Sequence, residues 1–132
     1  MKLRFPGTLF GTCAVKKKLS RDFRRQASLL IDDRLLIDAT ADFSDFTDFY
    51  GFPDLWGEIG AVLISAADPK CLSQETLTRL ARGKELFVYA PPEAAPMFPM
   101  AENLHFVPLR PFSMTDILDY KVFALPTDVA GE

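Results

Sequence analysis

Gly60-Ala61-Val62-Leu63-Ile64-Ser65-Ala66-Ala67-Asp68-Pro69-Lys70-Cys71-Leu72-Ser73 holds a strand, a loop and the start of a helix. The unbroken apolar run Gly60 to Ile64 is the pattern of a strand covered on both faces. Asp68-Pro69 is turn chemistry. Ser73 suits a helix N-cap, Glu75 puts negative charge in the first turn, and Leu77 and Leu80 recur at helical spacing before Gly83 ends the run.

The same reading extends outward in both directions. Lys2 to Pro6 alternates into a first strand that ends at Gly7-Thr8. Ala27–Ile31 and Leu35–Ile37 are apolar runs around Asp32-Asp33-Arg34, which predicts a β-hairpin. Phe43, Phe46, Phe49 and Tyr50 fall at helical spacing, and Gly51-Phe52-Pro53 stops that helix. Phe52 and Trp56 are read as loop residues capping the core. Leu86–Tyr89 is a strand, Pro96 forbids a long helix after Pro91-Pro92, and Leu104, Phe106 and Leu109 mark a further strand. Lys121–Leu125 forms the last, after a corner at Leu118-Asp119-Tyr120. Strands alternating with helices favour an α/β sheet with crossovers over an all-β sandwich.

Composition bounds the partners. The chain has 132 residues, enough for one core that buries roughly two-thirds of the extended surface. Its 48% hydrophobic and 25% charged residues are ordinary for a globular chain, and no apolar run reaches the roughly 18 residues of a spanning helix. Eighteen acidic against 15 basic residues give a net charge of -3. The basic cluster Lys16, Lys17, Lys18, Arg21, Arg24 and Arg25 is read as a solvated loop, and neither a phosphate loop nor a basic aromatic stripe points to nucleic acid. Two cysteines, Cys13 and Cys71, form no disulfide framework, so a reducing cytoplasm fits, and Lys2 with Pro6 makes a poor signal peptide.

The order of these motifs resembles the metallo-β-lactamase superfamily. Leu3-Arg4-Phe5-Pro6-Gly7-Thr8 is similar to a first strand ending in G-T-G, with Leu9 for the second glycine. Asp22 to Ile31 is similar to an arginine-containing loop leading into S-x-L-I/V. Leu35-Leu36-Ile37-Asp38 resembles the strand before D-x-G, and Ala39-Thr40-Ala41-Asp42-Phe43 stands where members often have G-P-D-F. Leu86 to Glu93 is similar to L-x-V-Y-G/A-x-x-E, and Val122 to Val129 to V-x-A-L-P-A-D-H. The resemblance implies a metallo-β-lactamase-like α/β half sandwich over residues 1–132: a mixed β-sheet with helices on one face.

It also implies where metal ligands would stand. The family's T-H-x-H-x-D-H falls on Ser65 to Cys71, which puts Ala66, Asp68, Lys70 and Cys71 at the ligand positions and Val129 at a later one. An alanine supplies no donor and a lysine brings a repelling charge, so no catalytic residue and no metal ligand is assigned. Asp68, Cys71 and Cys13 remain vestigial positions, a mixed set for zinc under an alternative reading as an atypical metal-dependent hydrolase. Ser65 is given a backbone-supporting role, and Asp38 is expected to orient the loop through backbone N–H groups. His105, the one histidine, alternates outward in its strand, and the sequence names no nucleophile or carboxylate to make it catalytic.

The family's αββα sandwich has a second half beyond this length, and an apolar sheet face is rarely left in water. The expectation is a non-catalytic protein acting through self-association, as a homodimer, or through a partner chain. A small-molecule binding or regulatory module is a further alternative, marked by an apolar pocket with converging polar groups. Neither nucleic acid nor membrane is expected as a partner.

Overall fold

A computed structural model of the chain describes residues 1–7 and 26–125. Cys13, the basic cluster, the Gly7-Thr8 turn beyond Gly7 and Val129 lie outside the described residues. Among the described residues, no helix is long and apolar enough to cross a membrane.

Six strands, β1 (Leu3–Gly7), β2 (Ser28–Ile31), β3 (Leu35–Ile37), β4 (Ala61–Leu63), β5 (Leu86–Ala90) and β6 (Leu104–Pro108), form one sheet in sequence order. The first three are antiparallel neighbours; β3, β4, β5 and β6 run parallel. The predicted hairpin turn is present: Asp32, Asp33 and Arg34 connect the paired Ile31 and Leu35, Arg34 N donates to Ile31 O at 3.0 Å, and Asp32 and Asp33 are both in the left-handed region at φ 52° and 58°.

Helices α1 (Phe43–Tyr50), α2 (Leu55–Glu58) and α3 (Gln74–Leu80) all contribute to the core on one face of the sheet. Gly51, in the left-handed region, ends α1 by returning its N–H to Thr47. Ser73 caps α3 by accepting from Thr76 N at 3.3 Å. Leu30, Leu36, Val62 and Val88 from the strands and Phe43, Leu77 and Leu80 from the helices have no exposed surface. Fully burying each stabilises the fold by about 1.5–3 kcal/mol.

Two sequence expectations need correction. Trp56 does not lie in a loop: it forms part of α2, buried edge-on to Phe43 at 4.9 Å between ring centroids, with Arg79 stacked 4.0 Å above it. Its indole N–H donates to Thr47 Oγ1 at 3.0 Å, which satisfies both polar groups in the core. The Lys84 ammonium donates to the Trp56 and Ile59 carbonyls at the end of α2, and burial lowers its pKa. The last strand, in turn, is half of a hairpin, β7 (Met114–Ile117) and β8 (Tyr120–Phe123).

That hairpin changes the picture of a bare sheet face. Ile117 is fully buried against Leu35 and Ala61 on the side away from the helices, with Tyr120 and Val122 packed around it. The cover is partial. Phe5 and Phe87 keep 61% and 44% of their surface exposed, and the large side chains Phe112, Met114, Phe123 and Leu125 on or beside the hairpin are exposed as well.

Candidate functional site at the ends of β3 and β4

Parallel strands β3 and β4 end side by side, and the chains leaving them carry the side chains with chemical potential. Asp38 follows β3 in the left-handed region at φ 68°, an uncommon state for a non-glycine residue, and its N–H donates to Leu63 O at 2.7 Å. Ser28 Oγ lies 2.9 Å from Asp38 O and 3.0 Å from Ile37 O, which holds this strand end from the other side.

The Asp38 carboxylate reaches across to the loop after β4. Ser65 N donates to Oδ1 at 2.8 Å, and Ser65 Oγ lies 2.7 Å from Oδ2 and 3.0 Å from Oδ1. Asp38 thus does what its position implies: it holds the loop through a backbone N–H, and Ser65 supports that contact. Burial raises the Asp38 pKa, while the Ser65 hydrogen bonds act in the opposite direction. Cys71 Sγ stands 3.9 Å from Ser65 Oγ, and its pKa is raised by burial and then by the Asp38 charge, which disfavours a thiolate.

The loop closes back on the sheet by backbone bonds. Ala39 and Leu72 form a parallel bridge, Ser73 N donates to Ala39 O at 2.7 Å, and Thr76 Oγ1 donates to Thr40 O at 2.8 Å. Sequence reading missed the Thr76 to Thr40 contact, because nothing local signals a bond between residues so far apart in sequence.

The remaining singled-out residues do not join this cluster. Asp68 Oδ1 accepts from Lys70 N at 2.8 Å, an Asx turn, and Asp68 O accepts from Cys71 N and Leu72 N. Ala66 and Lys70 are exposed. His105 is on β6, partly exposed, with Nε2 2.5 Å from Glu85 Oε2 and its ring stacked on Phe87 at 4.8 Å. A hollow of about 310 Å³ beside Asp38 is lined by Phe5, Ala27, Leu29 and Ile37.

The fold of the chain matches solved structures. A crystal structure of a new diphosphatase from the PhnP family superposes with a TM-score of 0.61 at 14% identity, over 90% of this chain and 54% of that one. The fold is that of the metallo-β-lactamases. The metallo-β-lactamase fold protein YhfI from Bacillus subtilis matches likewise, with a TM-score of 0.62 at 13% identity, over 87% of this chain and 48% of YhfI. The chain spans about half the length of these structures. No family model and no curated protein matches the sequence.

Ala66, Asp68, Lys70 and Cys71 stand where the resemblance places metal ligands. Ala66 brings no donor atom and Lys70 brings a cation. Both Asp38 oxygens are engaged by Ser65, one Asp68 oxygen by Lys70 N, and the Cys71 thiol is turned to Ser65 and the core. Among the described residues, no three His, Cys, Asp or Glu side chains converge to hold an ion.

Proposed function

We propose that this chain is a non-catalytic half of a metallo-β-lactamase fold that acts by association, with a second copy of itself or with a partner chain, through the sheet side away from the helices. The observation that carries the reading is the state of the strand-end loop. Ser65 N holds Asp38, while at the positions that the resemblance assigns to ligands Ala66 has no donor atom, Lys70 is cationic and Asp68 is engaged by Lys70 N. The apolar side chains left in water on and beside the β7–β8 hairpin supply the contact surface. Isologous pairing is the commonest assembly, which favours the second copy.

Metal analysis after dialysis against zinc, followed by exhaustive buffer exchange, tests this reading. The expected result is well below one equivalent per chain. One equivalent or more, lost in Cys71→Ala without unfolding, would instead support the atypical hydrolase using Asp68, Cys71 and Cys13.

A second reading has one observation in its favour. The hollow beside Asp38 combines apolar walls with one carboxylate, as a small-molecule module needs. It predicts that blocking the hollow with Leu29→Trp removes ligand-induced thermal stabilisation.

A further inference from the structure

The β7–β8 hairpin is attached to the sheet as a separate unit. Thr115, Ile117, Tyr120 and Val122 share one face of it, as the pairs Thr115↔Val122 and Ile117↔Tyr120 require, and that face lies on the sheet, with Ile117 fully buried against Leu35 and Ala61. The tip is tied down by Arg34, which donates to Asp119 Oδ2 at 2.9 Å, and by the Tyr120 hydroxyl, which donates to Asp32. Leu118 lies over Gly60. A two-stranded hairpin is at best marginal in water by itself, so this one depends on the cradle it fills. Those contacts do not require that hairpin and sheet belong to the same chain.

The connection between the two units is short and strained. Leu109 N donates to Ala90 O at 2.8 Å and still belongs to the sheet, whereas Phe112 N donates to Ala124 O at 2.7 Å and already belongs to the hairpin. Arg110 and Pro111, both exposed, are the hinge between them. Phe112 has φ 61°, a left-handed conformation that a bulky side chain adopts only at a cost. The other left-handed residues besides glycine are in the two hairpin turns or, for Asp38, at the strand-end site. Burial of the ring does not offset the cost at Phe112, since 70% of its surface is exposed.

A short hinge under strain favours exchange of the element it holds, because every cradle contact is remade between two copies while the hinge relaxes. We infer that two copies of this chain associate by exchanging the β7–β8 hairpin, each seating its Ile117 against Leu35 and Ala61 of the other. The inference rests on the second-copy reading above and names the contact that carries it. It also gives the outer face of the hairpin a role. Met114 and Phe123 pair across the strands on the face turned away from the sheet, and both are exposed. With so short a hinge, both hairpin bases have to lie close to the two-fold axis, so Phe112, Met114 and Phe123 of one copy meet the other copy there. Nearer the tip the same face is polar, with Lys121 and Asp116 paired at 3.2 Å.

A mixing experiment separates exchange from contact between intact surfaces. One chain carries Arg34→Cys and another Asp119→Cys, both in a Cys13→Ser, Cys71→Ala background; the two are unfolded, refolded together and treated with a short bismaleimide. Arg34 and Asp119 form an exposed pair, so neither replacement opens the core. The expected result is a product of two-chain mass that neither chain gives alone, its yield rising with protein concentration. Inserting Gly-Ser-Gly-Ser between Arg110 and Pro111 of the wild-type chain keeps every surface side chain and relaxes the hinge without exchange. It should raise the dimer dissociation constant roughly thirtyfold or more, because each dimer holds two such hinges. Dimers that yield no two-chain product, or that are indifferent to the insertion, overturn the exchange and leave the second-copy reading standing. A chain that is monomeric at every concentration overturns both.

Discussion

On one face of the sheet Leu30, Leu36, Val62 and Val88 lie beneath three helices with no surface in water, while on the other Phe87 keeps 44% of its surface exposed beside a two-stranded hairpin. Both faces are apolar, yet only one is closed. A closed face is explained by the stability of the chain itself. The half-open apolar face is the one the proposal assigns to association, because large exposed patches mark interaction surfaces. The loop at the ends of β3 and β4 belongs to the closed side in this sense: its carboxylate and hydroxyl serve the scaffold.

The contrast is broken most strongly from the closed side. Phe43→Ala should destabilise the chain by about 3–5 kcal/mol, measured by urea denaturation, because it opens a cavity among Phe46, Trp56 and the sheet. At the strand end, Asp38→Ala removes the acceptor of the Ser65 N–H and hydroxyl and should cost about 1–2 kcal/mol, whereas Ser65→Ala, which leaves the N–H bond, should cost less. On the open side, Phe87→Asp should cost dilute protein about 1–2 kcal/mol, less than Phe43→Ala, because it loses only a half-buried ring and its stacking on His105. A cost comparable to Phe43→Ala would mean that the two faces are not different in kind.

The smallest effect is one of pH. Burial raises the Asp38 pKa above its unfolded value, so the penalty of its charge is present at neutral pH and is relieved as pH falls through the folded pKa. Asp32 and Asp33 are shifted down, by the Tyr120 and Arg4 hydrogen bonds respectively, and act oppositely: the stability they contribute is lost as pH falls through their folded values. The comparison that isolates Asp38 is therefore wild type against Asp38→Asn. The stability difference should move in favour of wild type between pH 7 and pH 4, and a flat difference would remove burial as the governing influence on Asp38.

Much of the closed side was legible in the sequence, since its signals are local and periodic. The Asp32-Asp33-Arg34 turn, the aromatic spacing of α1, the Ser73 cap and the apolar run of β4 each follow from a few adjacent residues. The open side was less legible. Strand β7 was missed because its two-residue connection, Leu118-Asp119, puts a leucine at φ 55° where asparagine or glycine is the usual signal. Helix α2 was missed because four residues are too few to show a period and Asp54 makes no side-chain cap. The Asp38 to Ser65 contact was anticipated only through the order of family motifs, since no local rule joins residues 27 apart.

Sedimentation equilibrium of the wild-type chain beside Phe123→Asp tests the account most directly, because Phe123 is an exposed side chain of the hairpin and lies outside both buried clusters. The account predicts a concentration-dependent dimer for the wild type and a folded monomer for the variant. A wild-type chain that stays monomeric at every concentration, with Phe87 and Phe123 still in water, would contradict self-association through this side of the sheet.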